Sequence, residues 1–444
     1  MVYVTLSCSL RWDGQPYGFR RTLVTHVRAN MEYFKSEGHQ NIVSYMDDAY
    51  ANFGRLLQEQ GHFKEAETLE NKVLDTRNRI LGVEHPATIR AMAKLADTSR
   101  NLGKYTEAEK LEIQVLDARN RILGVEHPDT IKAMGNLAST YYGLRKYAKA
   151  EKLEIQVLDT RNRVLGVEHR DTIHAMGNLA ATYRNLGKYT EAEQLEIQVL
   201  DGRSRILGVG HPGTIHAMAN LARTYGKLGK YKKAEKLAIQ VLDARTRLFG
   251  VEHPDTIKAM GNLASTYYGL RKYTKAEELE IQVLDARNRT LGVEHPDTIH
   301  AMGNLAATCR NLRKYTEAEK LEIQVLDARN RILGLEHPDT IKAITNLALT
   351  YRSQAKYIEA EKLEAQAHEL RSRVSATESP HTIATMANVQ EAWEIQVLDA
   401  GSTVPREKNL HSTQVVLNPP VLLETVMNSE KKGMYSCYFC LKPL

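Results

Sequence analysis

Seven histidines, His85, His127, His169, His211, His253, His295 and His337, recur at a spacing of 42 residues. Imidazole is a common metal ligand, so a regular histidine series invites a metal reading. The spacing argues against it. Equivalent points in stacked helical units lie on the order of 10 Å or more apart, because packed helix axes alone are 8–10 Å apart. A zinc ion needs its ligands at about 2 Å. The histidines therefore read as helix-start or packing residues, and neither a metal nor another cofactor is expected. A second column holds Asn52, Asn136, Asn178, Asn220, Asn262, Asn304 and Asn346, broken by Lys94. Asn is a mediocre helix former, and its amide offers a donor and an acceptor at once. One helical turn earlier stand Arg90, Lys132, His174, His216, Lys258, His300 and Lys342, and a further column holds Arg100, Tyr142, Arg184, Tyr268, Arg310 and Arg352. Cys437 and Cys440 form a lone CxxC with no second ligand pair for zinc and no βαβ context for redox work. No nucleophile–base–acid set stands out, so no catalytic residues are expected and the chain does not read as an enzyme.

The elements that must carry these columns follow from the same period. His-Pro marks six of the seven steps, and His169 is followed by Arg170. The string VEHPDTIKAMGNLASTYYGLRKY runs from Val125 to Tyr147 and again from Val251 to Tyr273. Within one unit, Ile131, Met134, Leu137, Ala138, Tyr141 and Leu144 keep helical spacing over residues 129–146. Tyr147, Ala150, Leu153, Val157, Leu158 and Leu165 do so for a second helix from about 148 to 165. Pro128 suits a first helical turn, and Gly166 suits the left-handed residue past a helix end. Thr106 with Glu109, Thr190 with Glu193, Thr274 with Glu277 and Thr316 with Glu319 read as capping boxes opening the second helix. Neither helix can bury its apolar face alone, so the units must stack as a solenoid. The register gives a non-repeat segment 1–42 and eight repeats over 43–378. A ninth unit, 379–400, loses twelve residues and reads as degenerate, and 401–444 reads as a disordered tail.

Composition agrees with a globular chain. The 444 residues carry 60 Lys plus Arg against 54 Asp plus Glu, a formal charge of +6. Near balance disfavours nucleic acid as the partner. No apolar run is long enough for a transmembrane helix, and four cysteines fit a reducing, cytoplasmic setting. The oligomeric state stays open.

Leu137-Ala138, Tyr141, Tyr147 and Ala150 resemble the tetratricopeptide repeat. The 42-residue period, the YxxAExLE opening and the LGxEHPDT join resemble the kinesin light chain type and the tandem repeats of fungal NOD-like (STAND) proteins. The resemblance implies an all-α, right-handed superhelical solenoid whose first helices line the inner surface. The Asn column there either clamps the backbone of an extended peptide or bonds the adjacent unit. The Lys132, His174, His216, Lys258, His300 and Lys342 column, with Arg184 and Arg310, either makes a groove for acidic extended segments or is a solvated face. The implied function is a non-enzymatic scaffold for protein or peptide ligands. The alternatives are a STAND-type sensor array separated from its nucleotide-binding module and a kinesin light chain-like cargo adaptor. No GxxxxGK[ST] is present, since Gly103-Lys104 is followed by Tyr105, and residues 1–42 show no heptads. Glu112, Glu154, Glu196, Glu280 and Glu322 stand where the family usually has an aromatic.

Overall fold

The computed structural model describes residues 23–26, 28–29 and 43–377, and all regular structure among them is helical. The chain divides into two compact units, 1–372 and 373–444. Of the second, only the end of the last helix is described. The segments that the sequence suggests are a degenerate ninth repeat, 379–400, and a tail, 401–444, with Cys437 and Cys440, lie outside the described residues. Sixteen long helices alternate in eight pairs. The first helices are α1 (Val43–Glu59), α3 (Pro86–Asn101), α5 (Pro128–Gly143), α7 (Arg170–Asn185), α9 (Pro212–Lys227), α11 (Pro254–Gly269), α13 (Pro296–Asn311) and α15 (Pro338–Ser353). The second helices are α2 (Phe63–Leu81), α4 (Tyr105–Leu123), α6 (Tyr147–Leu165), α8 (Tyr189–Leu207), α10 (Tyr231–Phe249), α12 (Tyr273–Leu291), α14 (Tyr315–Leu333) and α16 (Tyr357–Thr377). Each helix through α14 packs on the next, and the first helices of neighbouring units also touch, as α3 with α5 and α9 with α11. This is the tandem solenoid of helix–turn–helix repeats that the period predicts.

The core is shared between units. Ile131 and Met134 of α5 and Val157 of α6 are buried together with Ala175 of α7, and Leu116 of α4 packs against them. One unit on, Ile173, Met176 and Val199 repeat the arrangement with Ala217. Before the array, Leu23 and Val24 are buried with Phe53, Leu56 and Leu57 of α1, and Arg28 pairs with Glu65 at 2.6 Å. Part of the non-repeat segment therefore covers the apolar face that the first unit would otherwise expose.

The histidine column caps helices. The Nδ1 of His127 accepts from the Asp129 N–H at 3.1 Å, and His169, His253, His295 and His337 do the same at 3.1 Å to Asp171, Asp255, Asp297 and Asp339. This satisfies one orphan donor of the first turn, the task usually done by Ser, Thr, Asp or Asn. The capping boxes expected at the second helices are not formed. These helices begin at Tyr105, Tyr189, Tyr273 and Tyr315, so each Thr lies inside the helix, and Lys104, Lys188, Lys272 and Lys314 stand at the cap with no side-chain cap bond. The glutamates are taken elsewhere: Glu109 pairs with Lys146 at 2.7 Å, Glu193 with Lys230 at 2.6 Å, Glu277 with Lys314 at 2.7 Å and Glu319 with Lys356 at 2.9 Å. Each pair joins one unit to the next. Gly166 has φ 88° and ψ 161°, positive in φ but extended in ψ. Glycine alone adopts that region at ease.

A second ladder explains the unexpected carboxylates. Glu70, Glu112, Glu154, Glu196, Glu280 and Glu322 are buried. Arg100 reaches Glu112 at 3.2 Å, Arg310 reaches Glu322 at 2.8 Å, and Arg184 is in contact with Glu196. Arg100 and Arg310 also donate to the carbonyls of Asn136 and Asn346 in the following unit, at 3.3 and 3.1 Å. The hydroxyls of Thr140, Thr182 and Thr308 face Glu112, Glu154 and Glu280 from the next first helix. Burial pushes the carboxyls of Glu70, Glu112, Glu154, Glu280 and Glu322 up to about 7.

Two outcomes follow from this packing. Replacing His127 by Ala is expected to lower stability by about 1 kcal/mol in urea unfolding, whereas Asn, itself a good cap, should leave it within about 0.5 kcal/mol; equal losses would mean that the ring packs rather than caps. For the carboxyls, a raised value in the folded chain means the stabilising proton is fully held below about 4.5 and lost as pH rises through about 7. Glu154→Gln and Glu280→Gln should thus each raise stability at pH 8 by roughly 2–3 kcal/mol and have little effect at pH 5. Unfolding curves at the two pH values check this, and a pH-independent effect contradicts it.

Candidate functional site

The first-helix face carries a cavity of 450 Å³ that runs across four consecutive units, from Tyr142 on α5 to Asn262 on α11. His174, Asn178, Arg184, His216, Asn220, Lys258 and Asn262 line it, so seven of the candidate peptide-binding residues converge there. A neighbouring cavity of 100 Å³ is lined by Lys132, Asn136, His174 and Asn178, with Glu154 also in its wall. Asn52, Asn304, Asn346, His300, Lys342 and Arg310 hold the equivalent positions on their own units, outside these two cavities.

The amides are placed by simple geometry. Lys132 and Asn136, or His174 and Asn178, are four residues apart on one helix and share a face. The apolar positions around them, such as Ile131, Met134 and Leu137, are buried, which turns the polar pair outward. The amides of Asn136, Asn178, Asn262 and Asn346 make no hydrogen bond to another unit among the described residues. Asn220 lies 3.4 Å from the His216 ring and accepts from Arg223 at 3.3 Å; Asn304 lies 3.4 Å from the His300 ring.

The charge of this face differs in origin from the column of basic residues read in the sequence. Partial desolvation, with Arg161 and Arg203 beside the ring, holds His174 below the usual histidine value. His216 is lowered in the same way between Arg203 and Arg245, and His300 between Arg287 and Arg329. These rings are neutral near pH 7 and act as hydrogen-bonding groups. Arg184 and Arg310 are held by the buried Glu196 and Glu322. Positive charge comes instead from Lys132, Lys258 and Lys342 and from a set of second-helix arginines. Arg161, Arg203 and Arg245 line the cavities and donate to the carbonyls of Asp171, Gly213 and Asp255 at 2.8, 3.0 and 2.8 Å. Arg77, Arg119, Arg287 and Arg329 make the same bond to Ala87, Asp129, Asp297 and Asp339. The signal was present as an arginine recurring every 42 residues in the LDxR string. The resemblance points only to the first helices as lining the inner surface, whereas this arginine belongs to the second helix. Its C-terminal turn reaches the N-terminus of the next first helix and so faces the cavity.

Other chemistry finds little support in the geometry. Among the described residues no group of three or more His, Cys, Asp or Glu could hold a metal ion. Cys309 is buried, and burial pushes its thiol up to about 12. No described helix is long and apolar enough to cross a membrane.

Comparison with known proteins agrees with the repeat. Among curated proteins no relative matches. Of solved structures, the nearly identical TPR-like repeats of a kinesin light chain-like protein from Podosopora anserina are 28% identical. That match covers 47% of this chain and 99% of the other, with a TM-score of 0.42. The apo quorum sensor NprR from B. thuringiensis is 14% identical, with a TM-score of 0.55 over 80% of this chain and 97% of its own. A STAND protein with a tetratricopeptide repeat sensor from Pyrococcus horikoshii is 14% identical, with a TM-score of 0.52 over 82% of this chain and 55% of its own. The last two likenesses concern the fold alone. The tetratricopeptide repeat model matches residues 45–111, 92–163, 171–247, 227–289, 255–331 and 297–373. Over most of its length, then, the chain belongs to the tetratricopeptide repeat family, whose arrays are scaffolds for protein and peptide partners.

Proposed function

We propose that the array binds an extended, acidic peptide segment along its first-helix face, as a non-enzymatic interaction scaffold in a cytoplasmic setting. The observation that supports this reading is the shared cavity in which Asn178, Asn220 and Asn262 stand in register beside Arg203, Arg223, Arg245 and Lys258. Asn amides pair with a ligand's backbone N–H and C=O groups, whatever its side chains. Guanidinium forks then meet its carboxylates. The acids in the same wall do not cancel this charge, since Glu196 is paired with Arg184 and the single carboxylate of Asp255 stands against Arg203, Arg223, Arg245 and Lys258. A cargo adaptor and a sensor array that controls a separate ATPase would both use this face. Cross-linking to partners followed by mass spectrometry separates them.

Affinity would come from many modest contacts, each hydrogen bond contributing about 0.5–1.5 kcal/mol net. With a fluorescent ten-residue Glu/Ser peptide as the probe, the Asn178→Ala/Asn220→Ala/Asn262→Ala variant is expected to bind at least tenfold more weakly while keeping its helical circular dichroism, because Ala is the best helix former. Affinity should also fall between 50 and 200 mM salt, since exposed charges are screened over about 8–10 Å. A folded triple variant that binds as wild type does would place the contact surface elsewhere, and salt-independent binding would remove the acidic preference.

A further inference from the structure

Six units of the array carry the buried glutamate, and what stands over it varies. In three of them an arginine of the same unit, Arg100, Arg184 or Arg310, reaches down to the carboxylate. In two others the arginine position holds Tyr142 or Tyr268, and the carboxylate below is Glu154 or Glu280. We propose that Glu154 and Glu280 form the floors of two equivalent sockets, each of which takes an arginine side chain from the bound segment. The proposal rests on the groove reading above and names two anchor residues within its ligand.

Glu154 and Glu280 are each only 6% exposed. The Oε2 of the buried glutamate is unpaired in the arginine-covered units as well. What sets Glu154 and Glu280 apart is that a threonine hydroxyl, Thr182 or Thr308, faces them and no arginine meets the other oxygen, as one does in Glu112, Glu196 and Glu322. Glu154 lies in the wall of the 100 Å³ cavity, which exceeds the room a single water needs several times over. The charged neighbour acting on Glu154 is Glu151, and that on Glu280 is Glu277; both are negative. Those two neighbours are already paired, with Lys188 at 2.6 Å and Lys314 at 2.7 Å. Arg161 in the cavity wall donates to the Asp171 carbonyl and makes no ion pair with Glu154. The socket therefore lacks the cation that its sister units supply from within.

Those sister units also indicate the guest. In the same pocket they hold a guanidinium, whose planar fork suits a carboxylate better than an ammonium does. A tyrosine in that place brings no charge to the carboxylate. Tyr142 leans to Asn185, whose amide donates to its hydroxyl at 2.9 Å, and sits edge-on to Tyr147 with ring centroids 5.4 Å apart. Tyr268 copies this with Asn311 and Tyr273, at the same two distances. One unit shows that the carboxylate and its cover are lost together, because Gly226 stands over Ala238. The sockets are three units apart, roughly 30 Å at about 10 Å between the touching first helices of neighbouring units. An extended strand at about 3.3 Å per residue crosses that in about nine residues.

Two measurements test the sockets. The first uses the full chain labelled with ¹³C at its glutamate carboxyls and titrates it with N-acetyl-arginine amide or its neutral isostere, N-acetyl-citrulline amide. The expected result is a saturable shift of the two resonances that vanish in Glu154→Gln and Glu280→Gln, with arginine only. The shift should be absent in Tyr142→Arg/Tyr268→Arg, whose own side chains fill the sites. Unmoved resonances, a uniform response of all glutamates, or an equal response to citrulline overturns the proposal. The second compares a ten-residue peptide with Arg at both ends and an acidic middle against its citrulline counterpart. Wild type is expected to prefer arginine at least tenfold, and Glu154→Gln/Glu280→Gln to show no preference. Peptides that bind without an arginine preference remove the sockets and leave the groove. Arginine-specific shifts without any peptide binding remove the groove reading and leave the sockets.

Discussion

No unit of this chain can bury its own apolar face, and everything else in the structure depends on that shortage. Ile131, Met134 and Val157 are sealed only when Ala175 of the next unit arrives. The neighbour must therefore dock in one register, and the polar ladders enforce it. Lys146 meets Glu109 across thirty-seven residues, and Arg121 meets Glu84 across the same interval. Exposed pairs of this kind contribute little each, about 0–1 kcal/mol. Their value lies in repetition at a fixed offset, which a slipped neighbour would break throughout.

The buried glutamates serve the same end at greater cost. A buried ion pair stabilises weakly once desolvation is counted. The Arg100 guanidinium nevertheless ties three things together: Glu112 of its own unit, the Asn136 carbonyl of the next, and its own helix. Registry rather than raw stability is the better account of such a pair. Where Gly226 and Ala238 replace both partners, the unit still packs, with Ala238 buried beside Ala222 and Leu263. The pair is therefore dispensable as a whole.

Much of this was legible in the residues. The period, the helix pairs, the histidines at helix starts and the solenoid all followed from spacing, because each reflects a local rule with a fixed periodicity. The capping boxes did not, since Thr106 and Glu109 satisfy a local motif while Lys146, a residue of the next unit, offers the carboxylate a better partner. Glu112 and Glu154 were anomalies for the same reason. Their covers, Arg100 and Tyr142, come from the other helix of the unit, and Thr140 and Thr182 come from the next. The column of Asn136, Asn178 and Asn220 was readable as a face but its neighbours were not. Arg203 and Arg245 reach that face from the second helices, and only the packing angle brings them there.

Helices α5 and α11 have identical sequences. The surfaces that receive them are nearly so, with α4 and α10 sharing most of their inward positions. A nascent chain thus meets two similar docking choices 126 residues apart, which differ chiefly where Gly226 and Ala238 replace Arg100 and Glu112. Loop closure separates them only weakly, because its entropy grows with the logarithm of loop length. What favours the correct choice is order of emergence: during synthesis α5 is available long before α11 exists. Refolding from denaturant removes that advantage and admits long-lived species with an excluded loop of three units, or two chains exchanging the segment. Vectorial synthesis is then part of what specifies this fold, a contribution that the finished structure does not display.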